Sequence, residues 1–226
     1  MDPAPVVTLH VWGVPGRAVP AALLRMAADP PLLRRTPGLR FGKLLGTGHG
    51  RTFTVRDADP RTWALLAVWD GEPDEGIAVL RRWRRVAAEE WSVRLRALSA
   101  RGRWSRREPF GRPAPVRWDG PVAAITRARL VPRRALTFWR AVPPVSADLR
   151  GSPGLRLALG IGEAPIGLQG TVSVWASAAD LTAFAYERAP HAAVVRRTPG
   201  ERWYAEELFA RFALLAAEGT VGGRAV

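Results

Sequence analysis

Three histidines, His10, His49 and His191, are the only imidazoles in a chain of 226 residues that has no cysteine. Without thiols there can be no disulfide, thiolate zinc site, iron–sulfur cluster, thiolate-ligated haem or covalent c-type haem. A three-histidine zinc site would consume every imidazole. His191 stands in Ala189-Pro190-His191-Ala192-Ala193, where the proline ends one helix and suits the first turn of another. There the positive end of the helix dipole disfavours imidazolium and leaves a lone pair for a metal. The alternative is a structural histidine at a helix start. His10 lies in the alternating strand Val7–Trp12 and reads as structural. His49 sits in the flexible loop Gly46-Thr47-Gly48-His49-Gly50.

Other chemistries fail on missing parts. That glycine loop misplaces the third glycine of a dinucleotide fingerprint. Gly42-Lys43-Leu44 lacks the serine or threonine of a P-loop, and Gly151-Ser152-Pro153-Gly154 lacks the spacing of a nucleophile elbow. The net charge is +14, from 34 basic and 20 acidic side chains, and Lys43 is the sole lysine. Arginine is spread from Arg17 to Arg224 without clustering, so no nucleic-acid partner is expected. The start, Met1-Asp-Pro-Ala-Pro, has no secretory pattern, and the longest apolar run, Trp63–Trp69, is far short of the ~20 residues that span a bilayer. A cytoplasmic location is expected, with contact between the basic surface and membrane lipid left open.

The elements that must position these residues come in two sets. Pro37-Gly38-Leu39-Arg40 recurs as Pro153-Gly154-Leu155-Arg156, 116 residues on, and Val68-Trp69 matches Val174-Trp175. Glu89-Glu90 matches Glu206-Glu207, and Gly102 matches Gly219, both 117 residues on. Each set reads strand-helix-strand-strand-helix-strand. The first has strands Val6–Trp12, Leu39–Leu45, Trp63–Trp69 and Trp91–Leu98, with helices over Ala18–Ala28 and Pro73–Val86. The second has strands Val122–Leu130, Leu155–Ile161, Leu168–Trp175 and Leu208–Leu215, with helices over Arg133–Ala141 and Ala178–Arg188. This order is the ferredoxin-like unit. The expected fold is α+β: two tandem ferredoxin-like units, 1–100 and 121–226, joined by a linker, 101–120, and closing into an α/β barrel of the dimeric α/β-barrel type. The second unit carries extra residues within Tyr186–Glu201, and these include His191.

The second unit resembles the spheroidene monooxygenase family of carotenoid ketolases. The likeness runs through Ile125-Thr126-Arg127-Ala128, Phe138-Trp139, Gly160-Ile161-Gly162-Glu163, Pro190-His191-Ala192-Ala193 and Trp203-Tyr204-Ala205-Glu206-Glu207. In the first unit it includes Lys43 and Trp63–Trp69; His10 and His49 depart from the pattern. The resemblance implies haem b (iron) held by His191 and an O₂-dependent monooxygenase with a ferredoxin-type electron donor. The substrate would be a small apolar or aromatic molecule. Arg127, Arg196 and Arg211 become candidates for the haem propionates, and Arg127 or Lys43 for a distal catalytic donor. Trp139, Phe184 and Trp203, with Phe138, would wall the haem and substrate, while Glu163 reads as a carboxylate paired with arginine. Peroxidase-like or aldoxime-dehydratase-like haem chemistry, a haem carrier or sensor, and a haem-free binding module stay open. So does monomer or homodimer.

Overall fold

The computed structural model describes residues 5–52, 54–164, 169–188, 194, 196–198 and 200–226. Eight strands carry it: β1 (Val6–Gly13), β2 (Leu39–Gly48), β3 (Ala58–Trp69), β4 (Glu89–Gly102), β5 (Val122–Leu130), β6 (Leu155–Gly162), β7 (Gly170–Trp175) and β8 (Tyr204–Gly219). Among the described residues, helices α1 (Val19–Ala28), α2 (Pro30–Arg34), α3 (Ala78–Arg84), α4 (Ala135–Arg150) and α5 (Ala178–Thr182) interrupt them, the last running into a π-helical turn, Ala183–Glu187. The fold is therefore mixed α+β. All strand pairs are antiparallel, and the order β1-β3-β2-β6-β7-β5-β8-β4 closes because β4 pairs back with β1.

Alternation along the strands sends one face inward and one outward. The inner faces of all eight strands meet in one apolar cluster that includes Leu9, Leu66, Leu95, Ile125, Val174 and Phe212. Trp104 and Phe110, from the stretch expected to be a linker, are 0% and 1% exposed and complete that cluster. The interior is thus packed solid, and a large ligand must lie outside the sheet.

The two halves repeat each other in detail. After β4, Arg103 donates its backbone N–H to the Glu207 carbonyl; after β8, Thr220 donates to the Glu90 carbonyl. Turns follow at Trp104–Arg107 and Val221–Arg224. In the first, the N–H groups of Ser105 and Arg106 bind the Glu206 carboxylate at 3.0 and 2.7 Å. In the second, those of Gly222 and Gly223 bind Glu89 at 3.0 and 2.7 Å. Gly102 and Gly219 have φ of +89° and +78°, and a Cβ on either would stand 2.1 or 2.0 Å from the Glu207 or Glu90 carbonyl oxygen. Only glycine fits so close an approach.

The helical layers differ. Over the first half, Trp12, Trp63, Leu65 and Trp69 from the outer faces of β1 and β3 pack with Leu80 and Trp83 of α3. Over the second half the buried cluster is small: Val122, Trp175, Leu181 and Phe184, with Val145 and Leu149 of α4 against it. Two elements depart from expectation. The short α2 had no signal beyond its two leading prolines, and α4 runs on to Arg150 through Pro143 and Pro144. Those prolines remove two intrahelical donors and leave the Trp139 and Arg140 carbonyls without their usual partners in the helix. Packing of Val145 and Leu149 holds the second half of the helix to the sheet.

Candidate functional site

Beside Val122 and Trp175, part of the outer face of the second half carries small side chains. Across β6, β7 and β5, Ala158 pairs with Ser173 and Ser173 with Ala124. In the next outward row Gly160 pairs with Thr171 and Thr171 with Thr126, and Gly48 of β2 continues the row through its pairing with Gly160. The corresponding row of the first half holds Leu44, Leu65 and His10. This second row is poorer in side-chain volume than its counterpart in the first half.

The roof of this face is α4. Its first half contributes Phe138 and Trp139, which cluster with Val142 apart from the apolar group that anchors Val145 and Leu149. Phe138 meets Trp203 and Tyr204 edge-on, with ring centroids 5.9 Å away in both cases. Trp203 is fully buried and donates Nε1–H to the Thr137 hydroxyl at 3.0 Å. Trp139 Nε1 is buried with no hydrogen-bond partner among the described residues. An orphaned buried donor costs roughly 1–3 kcal/mol, a cost removed when a ligand accepts from it. Burial raises the Tyr204 phenol to about 12 despite a hydrogen bond from Thr198, so it stays protonated at neutral pH. Phe184, in the π-helical turn, packs on Trp175 at 5.4 Å. The expected metal ligand His191, with Pro190, lies outside the described residues. Described residues 194, 196–198, 200 and 201 are helical.

Arg127 and Lys43 do meet, but on the inner side of the sheet. Arg127 shares the inward parity of Ala123 and Ile125 and is 4% exposed. Its guanidinium binds Glu163 at 2.6 Å and also Glu206, and lies over the Trp104 ring. Lys43 binds the other Glu163 oxygen at 2.5 Å. Burial pushes the Glu163 carboxyl up, but Lys43, Arg127 and Trp104 outweigh it and hold it below the ordinary range. Glu206 is lowered in the same way, its burial outweighed by the Arg106 and Ser105 N–H groups and by Arg127. A cleft of about 430 Å³ opens beside this cluster, lined by charged and polar groups. Two carboxylates already occupy Arg127. Glu206 was missed in the sequence; its equivalence to Glu89 is the signal that points to it.

The remaining candidates scatter. Arg196 is exposed. Arg211 lies outward on β8 beside Ala124, 3.4 Å from the Tyr186 hydroxyl. His10 is buried under α3, with Nδ1 3.2 Å from Glu90 and Nε2 3.6 Å from Glu75, and stacks on Trp12. This is the structural setting its strand suggested. Burial would raise Glu90, but hydrogen bonds from His10 and Arg84 bring it down to about 2. His49 is exposed. No cluster of three metal-ligating side chains occurs among the described residues, and none of their helices is long and apolar enough to cross a membrane.

The chain is similar to proteins named spheroidene monooxygenase. It is 37% identical over 231 residues to that of Rhodobacter capsulatus, covering 97% of this chain and 94% of the relative. It is 38% identical over 229 residues to that of Rubrivivax gelatinosus, covering 99% and 83%. No family model matches. Among solved structures, an aldoxime dehydratase in complex with butyraldoxime superposes with a TM-score of 0.54 at 12% identity, covering 93% of this chain and 80% of the other. A second aldoxime dehydratase gives 0.52 at 14% identity, covering 93% and 82%. At such identities these two likenesses concern the fold.

Proposed function

The chain belongs to the spheroidene monooxygenase family, and from that premise we propose that it is a haem-dependent monooxygenase acting on an acyclic carotenoid or a similarly apolar molecule. The observation that carries this reading is identity of more than a third, along almost the whole length of this chain, to relatives bearing that name. We read the architecture as two diverged ferredoxin-like units in tandem, forming an α/β barrel of the dimeric α/β-barrel type. The paired turns, carboxylates and glycines 117 residues apart support it.

The residues present suit haem b. The outer face of β5, β6 and β7 is flat and poor in side chains, Phe138 and Trp139 offer aromatic surface above it, and Trp139 Nε1 is a donor in search of an acceptor. In this reading His191 would hold the haem iron, since His10 is engaged by two carboxylates on the other half. Arg211 and Arg196 are the cations for the propionates. Arg127 and Lys43, already matched by Glu163 and Glu206, hold the end of the closed sheet together and take no part in the haem site.

The chemistry that haem supplies when bound is activation of O₂: one oxygen atom enters the substrate, and the other leaves as water with two electrons from a ferredoxin-type donor and two protons. The protein's own part is shape and polarity. Phe184, Trp175 and Phe138 exclude water, Trp139 orients an oxygen acceptor, and Tyr204 retains a phenol proton as a hydrogen-bond donor. The test is to load the purified protein with haem, record the Soret band, and incubate it with acyclic carotenoid, O₂ and a reduced ferredoxin. Product masses raised by one oxygen atom, and a Soret spectrum abolished by His191→Ala but kept by His10→Ala and His49→Ala, are expected. An unchanged spectrum and full haem occupancy in His191→Ala would remove the ligand assignment. Intact haem binding with no oxygenated product would remove the substrate.

A further inference from the structure

The entrance to α4 is basic and apolar at once. In the segments 131–140 and 194–204, six arginines (Arg133, Arg134, Arg140, Arg196, Arg197 and Arg202) face a single carboxylate, Glu201, and all six are exposed. The segments form one surface. Trp203 joins them through its carbonyl, which accepts from Val131 N–H, and its Nε1, which donates to Thr137. The Arg197 guanidinium lies 5.6 Å over the same indole. Arg133 and Arg134 lie in the 3-10 turn Pro132–Arg134 that leads into α4; on α4 itself Leu136 and Arg140, four residues apart, share a face, and Leu136 is 64% exposed. A leucine held in water among arginines has no role in the fold.

We propose that this face, the turn Pro132–Arg134 and the first turns of α4 with Arg196, Arg197 and Arg202, docks on an anionic lipid bilayer. Leu136 enters the acyl boundary while the arginines meet lipid phosphates. Charge complementarity selects this occupant: six guanidiniums with one opposing carboxylate match a surface of fixed negative charge, and an apolar side chain at their centre adds depth. The other exposed leucine pair, Leu23 and Leu24 of α1, lacks that setting, because Arg25 between them and α3 is bonded to the Ala21 and Arg82 carbonyls. The purpose of such docking rests on the proposal of an apolar substrate: a lipid-dissolved molecule would reach a protein seated on the bilayer without crossing water.

Binding is read without turnover, by co-sedimentation of the full chain with vesicles of phosphatidylcholine containing phosphatidylglycerol, against vesicles of phosphatidylcholine alone. Wild type should bind the anionic vesicles, weaken as salt rises and ignore the neutral ones. Arg133→Glu/Arg134→Glu should lower the partition coefficient by roughly thirtyfold, and Leu136→Asp by roughly tenfold. Arg34→Glu/Arg35→Glu makes the same charge change at the exposed end of α2 and should alter it by no more than about threefold. All five residues are exposed, and unchanged thermal midpoints will show that each variant folds. Equal losses in the two double variants would mean that total charge, not this face, attracts lipid, and would overturn the proposal. So would failure of wild type to sediment. Either result leaves the oxygenase reading standing, since that is judged by the Soret band and product.

Discussion

Glu206 and Glu89 occupy equivalent places in the two halves, and the difference between their surroundings sets a quantitative test. Each carboxylate receives two turn N–H groups from across the closed sheet. Glu89 adds the Thr220 hydroxyl at 2.6 Å, whereas Glu206 adds the guanidinium of Arg127, whose side chain is 5% exposed. Hydrogen bonds to charged groups contribute roughly 1.5–3 kcal/mol each in isolation. Three that share one desolvated carboxylate contribute less than their sum, so Glu89→Ala should cost about 2 kcal/mol. Glu206→Ala also leaves a buried guanidinium with one carboxylate where it had two, and should cost about 4 kcal/mol. For a chain of this size that separates the thermal midpoints by about 4–8 °C. A double-mutant cycle of Arg127→Met with Glu206→Ala should show coupling of about 1–2 kcal/mol. The sign of the pH dependence follows from the lowered Glu206 carboxyl. Its contribution is whole above the unfolded value near 4.5 and fades as pH falls through the folded value, so the gap between wild type and Glu206→Ala should narrow in acid. Urea titrations at neutral and acid pH measure all of this. Equal losses for the two alanine variants, or a gap that widens in acid, would refute the reasoning.

The same symmetry supplies further tests. Ser105 and Arg106 hold φ of +53° and +63° where the other half has Gly222 and Gly223, so Ser105→Gly/Arg106→Gly should raise stability by about 1 kcal/mol, read as a higher urea midpoint. Gly102→Ala should lower it by several kcal/mol or prevent folding, since its Cβ would meet the Glu207 carbonyl oxygen at 2.1 Å; a loss under about 1 kcal/mol would show that β4 and β8 adjust freely. Glu90, held near pH 2 by His10 and Arg84, contributes above its unfolded value and loses that contribution as pH falls from about 4.5 toward 2. Glu90→Gln should therefore be less stable than wild type at neutral pH by up to about 2 kcal/mol, with the difference vanishing near pH 2. Trp139→Phe keeps the ring and removes the orphaned donor, so it should leave apoprotein stability within about 1 kcal/mol while weakening haem retention in a transfer assay.

Strand order and repeat were legible because they rest on local pattern. Alternation in Val7–Trp12 and Ala123–Arg127, and the glycines at 38, 102, 154 and 219, each answer to backbone geometry that sequence displays directly. The ends of elements were not. β8 runs from Tyr204 to Gly219, well past the expected Leu208–Leu215, because its outer residues pair with β4 and need not be apolar. The helix α4 continues through two prolines because burial of Val145 and Leu149 outweighs the lost hydrogen bonds. The stretch 101–120 reads as a linker by composition, yet Trp104 and Phe110 are core, since a closed sheet needs a plug and the chain between the halves is the nearest source.

The site was legible in its residue types and less so in their sides. Arg127 stood beside Thr126 in a matched motif and was assigned to haem, but parity with Ala123 and Ile125 turns it inward, where Glu163 and Glu206 meet it. The residues that carry most of the case for a cofactor are inconspicuous: Ala124, Ala158, Gly160, Thr171 and Ser173, each unremarked in its own strand. Gly160 and Thr171, with Thr126, take on meaning only when register sets them side by side, in the row where the first half has Leu44, Leu65 and His10. A duplicated unit begins with two equivalent layers between sheet and helix. Filling one with Trp12, Trp63, Trp69 and Trp83 makes the stability of the whole closed sheet rest on that half. The other is then free to lose side-chain volume along one row and to carry a proline-broken helix. A fold whose packing rests on one layer tolerates such a change in the other, and that is the layer to which the proposed haem is assigned.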